Sequence, residues 1–206
     1  KNFYKNKFHH SGDLGDIIYS LPFIKSKGGG ILILSPDFDK MSIRSPMTMD
    51  KALSIRELLI NQDYIFDVQS THKKPKDIDY DLNDFRKPFI DWGGGKFAPN
   101  EVDVLRKIKL TQHYRNNIDN TVSESFDETD WLKFDEKISF YSKPIVVNKT
   151  ERYPRNGFPW KEIVNNYSDK IVFVGTLDEY KTFVTTYGYV SYYVTNTYLD
   201  LAKVIN

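Results

Sequence analysis

Three uninterrupted apolar runs limit what this chain of 206 residues can fold into: Ile31-Leu32-Ile33-Leu34, Ile145-Val146-Val147 and Ile171-Val172-Phe173-Val174. A strand with one wet face alternates apolar and polar residues. A strand that is apolar at every position is covered on both faces. Helices provide that cover when they alternate with strands, so the expected class is α/β with parallel sheets.

The segments between the runs fit this expectation. A short aromatic strand at about Asn2–His9 leads into the turn-rich stretch Ser11-Gly12-Asp13-Leu14-Gly15-Asp16. Ile17, Ile18, Leu21 and Ile24 then recur at helical spacing, with Pro22 expected to kink or break the helix and Lys27-Gly28-Gly29-Gly30 to stop it. After Ile31–Leu34, a helix is expected over Asp50–Asn61, a strand over Tyr64–Val68 and a short strand over Ile78–Leu82. From Asn83 to about Tyr141 the pattern is weak. It contains Gly93-Gly94-Gly95, an expected helix near Asn100–Tyr114, and a polar stretch, Arg115–Thr129, expected to be exposed. The strong pattern restarts at Lys143-Pro144. Strands at 145–147, 171–174 and 190–194 alternate with helices at 159–167, 178–187 and 198–205. We therefore expect two α/β lobes, 1–143 with a helical insert and 144–206. The competing arrangement is one α/β domain with an irregular insert. The chain starts with Lys and ends inside an apparent helix without a stop signal, so the second lobe is expected to be incomplete.

Composition narrows the function. Lys and Arg number 29 against 28 Asp and Glu, a balance that argues against a nucleic-acid coat protein. There is no Cys, which removes thiol nucleophiles, disulfide scaffolds and Cys-ligated zinc. No apolar run is long enough to span a bilayer, and the N-terminal lysines are not followed by a signal-peptide core. A cytoplasmic protein is the default expectation.

The loop after the first strand carries the chemistry. Gly12 and Gly15 let a ligand approach the backbone, and Ser11, Asp13 and Asp16 gather at the carboxyl end of the strand, where open α/β sheets bind ligands. A carboxylate there can serve as a general base, or it can simply cap the helix. No Lys follows the last glycine as in a P-loop, and the third glycine of a dinucleotide fingerprint is missing. No cofactor is expected. The corresponding loop of the second unit carries Asn148, Lys149, Thr150, Arg152 and Arg155, cations and hydroxyls suited to a departing diphosphate, or a solvated basic loop. Thr176, after Gly175, is a weaker candidate of the same kind. His9 and His10 point to opposite faces of a strand and so cannot readily share a metal ion, although His10 stands where it can meet a ligand. Asp77-Ile78-Asp79-Tyr80-Asp81 contains two D-x-D matches, a pattern that holds metal in some glycosyltransferases but is short enough to arise by chance.

The run His10-Ser11-Gly12-Asp13-Leu14-Gly15-Asp16-Ile17-Ile18-Tyr19-Ser20-Leu21-Pro22 resembles the first loop and helix of heptosyltransferase-type (family-nine) glycosyltransferases. The stretches Val146–Tyr153 with Phe158-Pro159-Trp160, and Ile171–Thr176, resemble the start of the second lobe in shorter phage or bacterial relatives. The resemblance implies a GT-B fold of two Rossmann-like lobes. It implies metal-independent transfer of a sugar from a nucleotide-sugar donor to a hydroxyl acceptor such as a glycan or lipid-linked saccharide. Asp16 then matches the proposed base, with Asp13 second. His10, Ser11, Gly12 and Gly15 line the acceptor side of a cleft, and Asn148, Lys149, Thr150, Arg152, Arg155 and Thr176 the donor side. The alternatives are a non-catalytic or virion-associated binding module, and a different nucleotide-using α/β enzyme.

Overall fold

A computed structural model of the chain describes residues 5–36, 47–88, 104–105, 107–134, 136–140, 142–150 and 157–205. The chain is α/β with parallel sheets, compatible with a Rossmann-like fold, and divides into two compact units, Lys1–Lys133 and Phe134–Asn206. The expected boundary was 143/144. Residues 136–140 belong with the second unit because the Ile138 amide donates to the Lys203 carbonyl and Phe140 packs edge-on against Tyr193.

The first unit runs β1 (Asn6–His10), α1 (Leu14–Ser26), β2 (Gly30–Leu34), α2 (Met49–Ile60), β3 (Ile65–Ser70), β4 (Tyr80–Asp81), a 3₁₀ turn (Leu82–Arg86) and α3 (Leu110–Ile118). The four strands are parallel in the order β3-β2-β1-β4. Each crossover from β1 to β3 steps in one direction, and β4 then joins the other side of β1. The strand order thus reverses between β1 and β4, the place where open α/β sheets bind ligands. Phe8, Leu32, Leu34, Ile17, Leu21, Ile24, Ile55 and Leu59 form the core between the sheet and its helices. Helix α1 continues through Pro22 rather than breaking there. Pro22 and its neighbours Leu21 and Phe23 are all buried, and that packing offsets the lost backbone hydrogen bond. Gly28 and Gly29, at φ 81° and 78°, then stop the helix as expected.

The helix expected near Asn100–Tyr114 lies partly outside the described residues; residues 104, 105 and 107 are helical, and after a break at 108–109 a separate helix, α3, starts at Leu110 with Thr111, His113 and Tyr114 on its buried face. One expectation needed correction. The stretch Arg115–Thr129 is not wholly exposed, because Val122 and Phe126 are buried and side chains tie the stretch back to α3. Arg115 Nε donates to the Val122 carbonyl at 2.7 Å, and Gln112 Nε2 donates to the Glu124 carbonyl at 2.9 Å. Gly93–Gly95 lie outside the described residues. On edge strand β3, the Val68 N–H donates to Asp67 Oδ1 at 2.8 Å, and the Val68 carbonyl accepts from Arg56 Nε at 3.3 Å.

The second unit runs β5 (Ile145–Val147), α4 (Trp160–Tyr167), a short 3₁₀ turn (Ser168–Lys170), β6 (Ile171–Val174), α5 (Leu177–Tyr187), β7 (Ser191–Tyr193) and α6 (Tyr198–Ile205). Its sheet is parallel in the order β5-β6-β7. Val147, Val164, Ile171, Phe173, Phe183 and Val190 form the core. Tyr180 and Tyr192 stack beside it with ring centroids 4.4 Å apart. Among the described residues, no helix is long and apolar enough to cross a membrane.

Candidate functional site

The loop after β1 is built around His10. The ring is fully buried, and the Gly12 N–H donates to its Nδ1 at 2.8 Å. A backbone N–H can only donate, so Nδ1 is the acceptor and a neutral ring carries its proton on Nε2. That proton goes to Tyr114 Oη at 3.0 Å, and the Tyr114 hydroxyl donates to the Asp16 carbonyl at 2.6 Å. Burial, then the charges of Arg86 and His9, push the His10 pKa down to about 3, which keeps this tautomer in place at neutral pH. His10 was expected to touch a ligand. Instead it is enclosed, and both ring nitrogens fix the loop from beneath.

Asp13 and Asp16 form the start of α1. Asp13 is the N-cap, and its side chain accepts from the Leu14 N–H at 2.9 Å. It also accepts the Asp16 N–H, while the Asp16 side chain accepts the Asp13 N–H at 3.2 Å, the reciprocal bonds of a capping box. Lys51 Nζ lies 3.6 Å from Asp13 Oδ1, and Arg86 pairs with Asp16 Oδ2. Among the described residues no donor binds the second oxygen of Asp16. Its side chain is 18% exposed and that of Arg86 23%.

The two loop glycines differ. A Cβ on Gly12 would lie 2.6 Å from His10 Cε1 and 2.9 Å from Asp16 Oδ2, whereas a Cβ on exposed Gly15 would meet nothing within 4 Å. The ring and the carboxylate are both held, so Gly12→Ala is expected to lose about 1–3 kcal/mol of stability by overpacking. Gly15→Ala is expected to match the wild type or gain slightly from better helix propensity. Urea midpoints of the two variants, compared with wild type, check the pair; equal midpoints would refute this view of Gly12.

Ser11 is buried, and its N–H and hydroxyl both donate to Asn83 Oδ1 at 3.0 Å. Asn83 Nδ2 donates to Asp81 Oδ1 at 2.8 Å, and Asp81 Oδ1 lies 3.2 Å from His9 Nδ1. His9 Nε2 lies 3.0 Å from Ser35 Oγ. Asp81, His9 and Ser35 therefore follow one another as acid, base and hydroxyl across β4, β1 and the end of β2. The order is that of a hydrolase triad, but the surroundings are not. Ser35 is fully buried, its N–H already donates to the His10 carbonyl, and Pro36 has no N–H to offer an oxyanion. The network joins three strand ends. Burial alone would raise the Asp81 carboxyl, yet hydrogen bonds from His9, Lys74 and Asn83 outweigh it and hold the group well below the usual carboxylate range.

The D-x-D aspartates are likewise engaged with the protein. Asp77 pairs with Lys7, Asp79 accepts the Lys7 N–H at 2.8 Å, and Asp81 sits in the His9 network. Among the described residues no group of three or more His, Asp or Glu side chains is placed to hold a metal ion. A shallow groove of about 550 Å³ lies between α3 and residues 124–128, lined by charges of both signs such as Lys109, Arg115, Glu124 and Glu128.

In the second unit three of the expected donor-side residues, Asn148, Lys149 and Thr176, make contacts within the fold. Asn148 Nδ2 donates to the Val174 carbonyl at 2.7 Å, joining the carboxyl ends of β5 and β6. The Lys149 ammonium lies 5.8 Å from the centroid of the Tyr187 ring. Thr150 lies in the same loop and is half-buried. Arg152 and Arg155 lie outside the described residues. Thr176 is the N-cap of α5. It accepts the Glu179 N–H at 3.2 Å, and Glu179 Oε2 accepts the Thr176 N–H at 2.9 Å. Thr176→Ala is expected to cost about 1 kcal/mol and speed hydrogen exchange in the first turn of α5, with Thr176→Ser close to wild type. Unchanged exchange in Thr176→Ala would rule the cap out as a source of stability.

Sequence reasoning missed Asn83, Arg86 and Tyr114. Each meets its partner about 70 to 100 positions away, so no local spacing announces it. The one available signal was a polar cluster directly after a short strand, Asp81-Leu82-Asn83-Asp84-Phe85-Arg86.

A scan against protein-family models and searches of curated proteins and of solved structures return no match for this chain. The resemblance to heptosyltransferase-type enzymes therefore rests on the residues that carry it.

Proposed function

We propose that the chain belongs to a metal-independent glycosyltransferase of the GT-B type, using a nucleotide-sugar donor and a hydroxyl acceptor. One observation carries the reading. Asp16, the residue matched to the base, lies partly exposed on the first turn after β1, at the point where strand order reverses. In the proposed reaction the acceptor hydroxyl gives its proton to Asp16, and its oxygen bonds to the anomeric carbon of the sugar. The bond from that carbon to the phosphate oxygen breaks, and the nucleoside diphosphate leaves with the electron pair. The resemblance assigns the donor phosphates to Lys149 and Thr150, a cation and a hydroxyl of the kind a diphosphate needs.

A second reading is a non-catalytic binding module. It is favoured by the capping box and by the Arg86 pair, which already give Asp13 and Asp16 roles in the fold. Titration calorimetry of the chain with a panel of nucleoside diphosphates separates the two. Glycosyl transfer requires selective binding of one base, and heat from none of them supports the binding module.

A further inference from the structure

A helix laid on a sheet turns its apolar stripe inward and its polar residues outward. Helix α2 departs from this on its outer face. Ala52, Ile55, Leu58 and Leu59 are buried, as the inward stripe should be. Leu53 and Ile60 lie on the other side of the helix and are 55% and 40% exposed. They stand two turns apart, with the exposed neighbours Arg56 and Glu57 between them. At helical spacing, positions 53, 56, 57 and 60 share one face.

The order along that face is symmetric about the point between Arg56 and Glu57. An aliphatic side chain lies at each end and opposite charges lie at the centre. We infer that this face binds a second copy of the chain, with the two α2 helices antiparallel about a two-fold axis through that point. Leu53 then meets Ile60 of the second copy, and Arg56 meets Glu57 of the second copy. The axis makes each contact twice, as in the isologous interfaces of symmetric dimers.

Charge selects both the partner and the direction. Among the described residues Glu57 has no ion pair. Arg56 Nε donates to the Val68 carbonyl at 3.3 Å and Nη2 lies 3.7 Å from Asp67, yet the Arg56 side chain is still 46% exposed. One cation beside one anion gives a strongly acidic or basic partner little to hold, but the pair is complementary to itself when reversed. Parallel helices would set Arg56 against Arg56 and Glu57 against Glu57, and like charges repel. Thr48 caps the helix and the four buried side chains fix it, so the face is presented without an ordering cost. One helix pair covers less than the roughly 1,200–2,000 Å² of a standard interface, so the dimer forms as concentration rises and is not permanent.

Sedimentation velocity on the whole chain at rising concentration tests this. Leu53→Glu and Ile60→Lys are measured singly and as an equimolar mixture. Both changes bring in good helix formers, and each charge suits its end of the helix dipole, so urea midpoints should match or exceed wild type. Each variant alone is expected to weaken dimerisation about tenfold or more, because every dimer loses two apolar contacts. The mixture should recover dimerisation. In the mixed pair the Leu53→Glu carboxylate meets the Ile60→Lys ammonium, and the unchanged Ile60 and Leu53 meet at the other contact. Glu57→Arg, which sets cation against cation twice, should stay monomeric, and it carries the test if either of the other variants fails to fold. Wild type that is monomeric at every concentration overturns the inference. So do single variants that dimerise like wild type, Glu57→Arg included, and a mixture that associates no better than its parts, which is the result parallel helices would give.

Discussion

Lowering the pH from 7 to 4 is expected to take about 3 kcal/mol from the stability of the first unit through His10 alone. In the unfolded chain the ring takes a proton as the pH falls through 6.5, but in the folded protein burial and the neighbouring positive charges delay this until about pH 3. Between those values the unfolded state binds more protons, so stability falls with pH. The contribution of a neutral His10 is complete above pH 6.5. Protonation has a clear structural cost, because a charged Nδ1 becomes a donor facing the Gly12 N–H.

Urea unfolding at pH 7, 5.5 and 4 checks this, with His10→Gln as the comparison. An amide side chain has an acceptor for Gly12 and a donor for Tyr114 but no charge to gain, so most of the slope should vanish. His113, also lowered by burial, leaves a smaller residual slope in the same window. Asp81 acts in a different one. Its depressed carboxyl stabilises the fold above the unfolded value near 4 and loses that contribution as the pH falls below it. A slope in His10→Gln equal to wild type would show that the ring does not control acid stability.

Asp16→Asn is expected to lower turnover by about 10²–10⁴-fold while leaving nucleotide affinity nearly unchanged, because a base acts in the chemical step and not in donor binding. Asn keeps an oxygen to accept the Asp13 N–H, so the start of α1 is retained while the basic group is lost. Asp13→Asn should have less effect, since Asp13 serves chiefly as the N-cap. Lys149→Ala should show the reverse pattern, weaker donor binding with a smaller change in turnover, because the diphosphate is present before and during the reaction. The three variants are compared by steady-state kinetics with a nucleotide-sugar that binds in calorimetry. Normal turnover in Asp16→Asn with lowered stability would make Asp16 a helix cap and leave the mechanism without a base.

The fold was legible wherever burial alone decides structure. Ile31–Leu34, Ile145–Val147 and Ile171–Val174 each form a parallel strand, because an all-apolar strand has few other places to go. Strand β4 was harder, as only Tyr80 and Asp81 pair, and they do so with the top of β1. The separate start of α3 at Leu110 was not legible, because its buried face is Thr111, His113 and Tyr114, which no hydrophobic period detects. In the candidate site, the loop and its two aspartates were visible in residue type and spacing. Their environment was not. Whether a carboxylate acts as base, cap or ion-pair partner depends on Arg86 and Tyr114, which the fold brings from distant positions. The inward direction of His10 was equally hidden, because alternation along a strand says that neighbours face apart and not which one is enclosed.

The side chains on β3 also govern how this sheet meets other chains. An edge strand offers its outward N–H and carbonyl groups as a template for a further strand, which is a common route to aggregation. At Val68, in the second half of that strand, Asp67 and Arg56 already occupy both groups, and Arg56 Nη2 lies 3.7 Å from Asp67 Oδ1 across them. Among the described residues the opposite edge is β4, whose two residues are too few to template a neighbour. Removing the guard by Asp67 and Arg56 would turn β3 into an adhesive border even though the core of the unit is untouched.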